Sequence, residues 1–379
     1  MIRETARTWA EIDISAIVHN YELAKKLSGR KVMCVIKGNA HGHGAVMFGK
    51  VLEECGADQF AVACLSEGIA LREAGISRPI LVLGYTEPEA AEELIEYNLM
   101  QSIFDEAYAE ALNHEALKLG KVLDIHVKLD TGMSRTGIFA QENHAAAAET
   151  VMRIHNLPGL QTKGIFTHCA AADMPEKDDF TEFQVTNYRT VLEELEKLGF
   201  PQDIDHHVGN SAVILNHPEA YFDMVRLGVM MYGFYPDGVY QPDGPLKQVL
   251  TLKTRVAQVK ELPAGAHVSY GCTFETDKPT KIAVAAAGYA DAYPRKLSNK
   301  GAYAVINGVK CPQIGRICMD MCMFDVTGAD VSRGDEIILY GNGGMSLDEV
   351  AAMIESINCE TSCLITDRVK RVYINGHSD

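Results

Sequence analysis

The feature that most constrains this chain is an alternation running from residue 30 to about 235. Eight short apolar runs, at 32–37, 59–65, 79–84, 100–104, 122–130, 160–168, 204–209 and 223–232, are separated by longer stretches. Six of those stretches carry amphipathic helical patterns, at 45–55, 67–74, 87–97, 105–119, 142–155 and 177–198, and the last connection, 210–222, is short. Eight strands alternating with helices predict a (β/α)8 barrel of the TIM type, an α/β fold. An open doubly wound sheet is the structural alternative.

After Tyr240 the texture changes. Segments 248–262, 280–288, 302–309, 313–326 and 336–340 read as strands separated by Gly, Pro and Asp, with one helix near 346–356. The expected division is a barrel over 1–240 and a mostly β domain over 241–379, with the strand-like start at 7–12 assignable to the second domain. A chain of 379 residues, 47% hydrophobic, has the length and apolar content for both.

The formal net charge of −16 argues against nucleic acid or an anionic membrane surface as a partner. No apolar run reaches the ~18 residues of a membrane span, and the start Met1-Ile2-Arg3-Glu4-Thr5-Ala6-Arg7 is too polar for a signal peptide. The ten cysteines contain no C-x-x-C. Cys318 and Cys322, like Cys359 and Cys363, lie four apart without a histidine at zinc spacing. They read as reduced residues of a cytoplasmic protein without a structural metal.

Lys37 closes the apolar run Val32-Met33-Cys34-Val35-Ile36 and precedes Gly38-Asn39-Ala40-His41-Gly42-His43-Gly44. A lysine at the end of a buried strand is costly to keep charged. Its pKa should fall, and a neutral amine condenses with an aldehyde. In a barrel of this kind the active site forms at the C-terminal ends of the strands. Lys128 lies near the end of the fifth run, His168 ends the sixth, Asn210 and Ser211 follow the seventh, and Arg226 and Gly228 lie on the eighth. Scattered in sequence, these residues converge on one mouth. The loops after the last two strands commonly hold a phosphate. Ser211 offers a hydroxyl at a helix start, and Gly228-Val229 offers backbone N–H donors. An amine facing a phosphate cradle points to pyridoxal 5'-phosphate.

Taken singly, each residue has a plainer reading. Lys37 is then a snorkelling lysine, Arg226 a salt-bridge partner, and Tyr270 and Tyr289 core or interface aromatics. His41 and His43 fill a loop, one of His206 and His207 is core, and Cys318 and Cys359 are small hydrophobes. Convergence on one face favours the functional reading.

Over nearly its full length the chain resembles the alanine racemases, the fold-type-III pyridoxal phosphate enzymes. The resemblance is carried in order by Val35-Ile36-Lys37-Gly38-Asn39-Ala40-His41-Gly42-His43-Gly44, Lys128-Leu129-Asp130-Thr131-Gly132-Met133-Ser134-Arg135-Thr136-Gly137, His207-Val208-Gly209-Asn210-Ser211, Val225-Arg226-Leu227-Gly228, Val268-Ser269-Tyr270-Gly271, Gly288-Tyr289-Ala290-Asp291 and Gly315-Arg316-Ile317-Cys318-Met319-Asp320.

The resemblance implies a racemase that interconverts L- and D-alanine for cell-wall peptidoglycan. It implies a head-to-tail homodimer with shared sites. Lys37 bonds to the cofactor and then moves the Cα proton on one face, while Tyr270 from the other subunit serves the opposite face, supported by His168 and Arg226. Arg226 faces the pyridine nitrogen and, as a group that does not readily give up its proton, keeps that nitrogen unprotonated. Arg135, helped by the Met319 backbone N–H of the other subunit, takes the substrate carboxylate. Lys128, carbamylated in many family members, gives Arg135 an anionic partner. His41, Asn210, Ser211, Gly228 and Val229 attend the cofactor, and His207, Tyr289, Cys318, Asp320 and Cys359 support the site.

Three positions depart from the family pattern. His41 and Cys359 stand where the family usually has tyrosines that help to hold the phosphate, and Ala292 stands where it often has glycine. The second tyrosine also narrows the substrate pocket, so Cys359 leaves serine or broader racemisation as an alternative. A decarboxylase of basic amino acids would carry a glycine-rich loop late in the barrel, and residues 200–240 hold no glycine triplet. A non-catalytic cofactor carrier of the kind that resembles the barrel alone would lack the second domain and its Tyr270.

Overall fold

A computed structural model describes residues 6–236 and 245–376. The expected boundary at 240/241 lies outside the described residues. The chain divides into two compact units, one of residues 18–40 and 45–246, the other of 1–17, 41–44 and 247–379.

The chain opens with strand β1 (Thr8–Asp13) and helix α1 (Ile14–Ser28). In the first unit the expected eight strands form one parallel sheet: β2 (Lys31–Val35), β3 (Gln59–Val62), β4 (Ile80–Val82), β5 (Leu99–Ile103), β6 (Leu123–Asp130), β7 (Leu160–Phe166), β8 (Asp205–His207) and β9 (Met224–Leu227). They pair in sequence order from β2 to β8, and β9 pairs with β2. The remaining gap is bridged by two backbone bonds, Asp223 N–H to the His206 carbonyl at 3.1 Å and Arg226 N–H to the Gly209 carbonyl at 2.8 Å. This nearly closed ring excludes the open sheet.

The connecting helices are α2 (Ala45–Glu54), α3 (Leu65–Glu73), α4 (Ala91–Glu96), α5 (Glu106–Lys118), α6 (His144–His155), α7 (Asp178–Lys197) and the short α8 (Ser211–Asn216). Three begin where an Asp or Asn side chain accepts a free N–H of the first turn: Asp105 from Tyr108, Asn143 from Ala146 and Asn210 from Val213.

Two different surfaces line the inside of the barrel. Met33, Val35, Ala61, Leu81, Met100 and Met224 form one apolar cluster. From β6, β8 and β9 come His126, Lys128, His207 and Arg226, all buried. Strand β6 alternates these polar groups with Leu123, Ile125, Val127 and Leu129, which are also buried. Both faces of β6 are therefore covered, as in parallel sheets clad by helices.

The second unit is an antiparallel sheet that includes β1. Its other strands are β10 (Leu250–Leu262), β11 (Thr280–Ala285), β12 (Tyr303–Ile306), β13 (Val309–Ile314), β14 (Cys322–Asp325), β15 (Glu336–Tyr340) and β16 (Lys370–Ile374). The order β11-β14-β13-β12-β15-β10 closes on itself because β10, thirteen residues long, also pairs with β11 past a bulge between Val256 and Gln258. Strand β1 runs antiparallel to β10 and parallel to β16. Helices α9 (Leu347–Ile354) and α10 (Asn358–Cys363) complete the unit. The sequence pattern anticipates the first and misses the second. None of the described helices is long and apolar enough to cross a membrane.

Candidate active site

Lys37 follows β2 at the C-terminal mouth of the barrel, held by an unusual stretch of backbone. Gly38, Asn39, Ala40 and His41 all have positive φ, at 62°, 52°, 52° and 49°. A left-handed turn costs roughly 1–2 kcal/mol per non-glycine residue, so it persists only when its surroundings fix it. Glu67 of α3 does much of that. One carboxylate oxygen accepts from Gly38 N–H at 2.6 Å and Asn39 N–H at 3.3 Å, and the other accepts from Ala63 N–H at 2.8 Å. The Asn39 side chain accepts from Ala45 N–H at 2.8 Å, and the Tyr232 hydroxyl donates to the Val35 carbonyl at 2.9 Å. Lysine, turn and the start of α2 are thus locked together.

The same mouth carries an anion cradle. The buried Ser211 Oγ accepts from Gly228 N–H at 3.1 Å and Met230 N–H at 3.3 Å, and its own O–H has no protein acceptor among the described residues. The first N–H groups of α8 have no acceptor inside the helix. Val229 starts a tight turn to Tyr232. The sequence expectation placed Asn210, Ser211, Gly228 and Val229 here for a phosphate: the Ser211 hydroxyl is free to donate to one, whereas the Gly228 N–H is already given to Ser211 Oγ and the Asn210 side chain is bonded to Val213 and Cys169.

Arg226 is 4% exposed and makes five hydrogen bonds. Nη1 donates to the His207 carbonyl at 3.0 Å and His207 Nδ1 at 2.9 Å. Nη2 donates to the carbonyls of Thr167 at 2.8 Å and Val208 at 3.0 Å and to His168 Nδ1 at 2.9 Å. No carboxylate faces it among the described residues. Burial lowers its pKa to about 10, which leaves it charged at neutral pH. Burial first, then the Arg226 charge, push both His168 and His207 well below their ordinary pKa, so both are neutral. Phe166 lies parallel to the His207 ring at 4.9 Å, with the Arg226 guanidinium 5.5 Å from its centroid.

Lys128 projects from the end of β6, with Nζ donating to Thr136 Oγ1 at 2.7 Å. Its pKa falls to about 8, first through burial and then through the charges of Arg135, Arg226 and Lys37. Arg135 lies in the loop that follows. Asp130 shapes this loop by accepting from Gly132 N–H at 3.1 Å and Ser134 N–H at 2.9 Å. Arg135 is exposed and makes no hydrogen bond or ion pair among the described residues. Its guanidinium is available to a carboxylate.

The other expected residues belong to the second unit. Tyr270 tops the small hairpin His267–Val268 and Phe274–Glu275, 70% exposed, its hydroxyl without a partner among the described residues. The hairpin tip is tied down by Ser269 Oγ, which donates to the Arg316 carbonyl at 2.6 Å and lies 3.4 Å from Cys318 Sγ. Tyr289 and Met319 occupy two touching turns, with Tyr289 N–H bonded to the Cys318 carbonyl and Ala290 N–H to the Met319 carbonyl, each at 3.0 Å. Only glycine fits at 288, where a Cβ would stand 2.2 Å from the Cys318 oxygen. Beneath them the buried Asp291 pairs with Arg7 at 2.8 Å and Arg368 at 3.0 Å, and Asp320 also pairs with Arg368. His41 is buried, and Cys359 begins α10, half-buried.

Sequence reasoning missed Glu67, His126 and the Arg7–Asp291–Arg368 cluster. The lone trace of the first was Asn39, a residue tolerant of positive φ, inside a glycine-rich turn. No sequence signal marked the others.

A (β/α)8 barrel with an amine at its strand-end mouth, an anion cradle on the last two connections and a buried arginine between them is a cofactor-dependent enzyme of the barrel class. Residues 12–236 match the family model described as alanine racemase, N-terminal domain, and residues 249–373 the alanine racemase C-terminal domain. An alanine racemase of Desulfosudis oleivorans is 41% identical, over 98% of this chain and 97% of the relative. Among solved structures, an alanine racemase of Clostridium difficile 630 superposes with a TM-score of 0.92 at 36% identity, covering 98% of this chain and 96% of its own. That of Bartonella henselae, with covalently bound pyridoxal phosphate, has a TM-score of 0.86 at 29% identity, covering 97% of this chain and 100% of its own. The chain belongs to the alanine racemase family.

Proposed function

We propose that this protein interconverts L- and D-alanine with pyridoxal 5'-phosphate bonded to Lys37, acts in the cytoplasm, and supplies D-alanine for cell-wall peptidoglycan. The observation that carries the reading is the buried Arg226, bonded to His207 and His168, on the strand-end face that also presents Lys37 and the Ser211 cradle. When bound, the cofactor acts as an electron sink that acidifies the substrate's Cα–H.

The protein's own groups do the rest. Ser211, Asn210, Gly228 and Val229 hold the phosphate. Arg135, with the Met319 backbone N–H of the partner subunit, grips the carboxylate and leaves Cα exposed on two faces. One fixed base would return the proton to the side it came from, so inversion needs two. Lys37 Nζ takes or gives the proton on one face. Tyr270 of the partner subunit serves the other. To carry the proton in both directions its oxygen needs a hydrogen-bond donor beside it. Since His168 Nδ1 accepts from Arg226, the neutral ring carries its proton on Nε2 and has that donor to offer. The exposure of Tyr270, Tyr289, Met319 and Met321 on one side of the second unit supports a head-to-tail homodimer in which each copy completes the other's site.

Incubating the purified protein with single L-amino acids in heavy water tests this. Loss of optical activity with deuterium uptake at Cα of alanine is the expected result. Carbon dioxide release from ornithine or lysine, or cofactor binding without exchange, would overturn it.

A further inference from the structure

His126 lies at mid-barrel on β6, fully buried, and no step above uses it. Its Nδ1 stands 2.9 Å from His207 Nε2. Arg226 fixes the direction of that bond. A guanidinium can only donate, so His207 Nδ1, which faces Arg226 Nη1, is bare. The neutral His207 ring must then carry its proton on Nε2, where His126 Nδ1 is the acceptor within reach. His126 in turn keeps its proton on Nε2, an atom buried with no hydrogen-bond partner among the described residues. Its pKa falls to about 4, first through burial, so it too is neutral. The bonds run one way, from Arg226 to His207 to His126.

The surrounding backbone is shaped to admit this ring. A Cβ at Gly164 on β7 would stand 2.5 Å from His126 Nδ1 and 2.6 Å from its Cε1. The β6–β7 register also shifts between Ile125 and His126. A glycine and a register shift together open the space for an imidazole. A histidine serving only as filler leaves its buried Nε2 unexplained, since an apolar ring would fill the space without an orphaned N–H.

We infer that His126 is a positioning residue: by accepting the His207 Nε2–H it holds His207 in the tautomer that receives Arg226, and so aims the guanidinium at the barrel mouth from two hydrogen bonds away. The effect on the cofactor rests on the function proposed above, whereas the effect on His207 does not.

Two substitutions separate positioning from packing. In His126→Asn, Oδ1 replaces Nδ1 as acceptor but volume is lost. In His126→Phe the volume stays and the acceptor goes. The holoenzyme is compared by 15N NMR of labelled histidine, by the pH titration of the cofactor's visible band, and by kcat and KM for alanine. Positioning predicts that His126→Asn keeps His207 protonated on Nε2 alone, with kcat within threefold of the parent. It predicts that His126→Phe shows a mixed or shifted His207 tautomer, a moved band titration, and a tenfold or larger fall in kcat with KM changed less than twofold. The reverse ranking, or an unchanged His207 tautomer in His126→Phe, would overturn the inference. A changed tautomer with an unmoved cofactor band would support the His126 assignment and count instead against the placing of Arg226 beside the cofactor.

Discussion

Lys128 Nζ donates to Thr136 Oγ1 across 2.7 Å and makes no ion pair among the described residues, although its charge is felt beside those of Arg135, Arg226 and Lys37. A cation so placed is poorly compensated. The pKa of about 8 leaves a useful fraction of neutral amine near physiological pH. Reaction of that amine with carbon dioxide gives a carbamate and a proton, and exchanges a fourth positive charge for a negative one beside Arg135.

The expected outcome is carbamylation of Lys128, seen as a 13C signal after incubation with labelled bicarbonate and absent in Lys128→Ala. Only the neutral amine reacts, so uptake should rise as pH increases through about 8. Intact-mass and density data that show a bare amine at pH 8 in saturating bicarbonate would refute it.

A mixing experiment tests whether two copies share their sites. Lys37→Ala and Tyr270→Ala should each lose more than about a thousandfold in racemisation. Re-pairing the two inactive proteins creates mixed dimers with one intact site each, so activity should return to at most about one quarter of the parent's. No recovery after demonstrated subunit exchange would mean that Tyr270 does not serve a neighbour.

Among the described residues Arg226 has no acidic counterpart to lend it a proton-sharing partner, and it keeps its own charge at neutral pH. Arg226→Glu should allow the ring nitrogen to be protonated and strengthen the electron sink. Pyruvate released per racemisation event should then increase by at least about tenfold, a change of roughly 1.4 kcal/mol in partition. An unchanged product ratio would contradict the assignment of this residue to the ring nitrogen.

The buried histidines set the acid limit. His126, with a folded pKa of about 4 against roughly 6.5 when unfolded, binds fewer protons folded than unfolded between those values. Its stabilising contribution is therefore complete above about pH 6.5 and is lost as pH falls towards 4, by on the order of 3 kcal/mol. His168 and His207 act in the same direction. Melting temperature should drop steadily across that window, and His126→Asn should drop less steeply. Equal slopes would show that this ring does not take up the proton.

Cys359 stands at the start of α10, where the family usually has a larger tyrosine. Cys359→Tyr should raise the ratio of kcat/KM for L-alanine over L-serine, by roughly tenfold as expected for one hydroxyl in a small pocket. A strong alanine preference that the substitution leaves untouched would place specificity elsewhere.

Much of this was legible in the chain because strand and helix patterns alternate so regularly before residue 235. The run at 122–130 shows where legibility ends. Asp124, His126 and Lys128 alternate with Leu123, Ile125, Val127 and Leu129, a pattern that ordinarily marks a strand with one wet face. Here the polar side points into the barrel, so His126 resembles a solvent-facing residue while being fully buried. Glu67 escaped notice for a different reason. Its partners are backbone N–H groups around Lys37, and backbone donors leave no mark on composition. The Asp291 cluster joins residues at both extremes of the chain, a separation that no local pattern spans.

That β1 lies between β10 and β16 has a consequence for synthesis. Strand β1 is made before the barrel, yet both of its neighbours emerge only after the whole barrel. While the barrel is being made, a strand with bare edges waits in front of it, the kind of segment that pairs with others of its sort. Yield during expression should therefore respond to chaperone supply, and a nick or stop that removes β16 should expose an edge of β1.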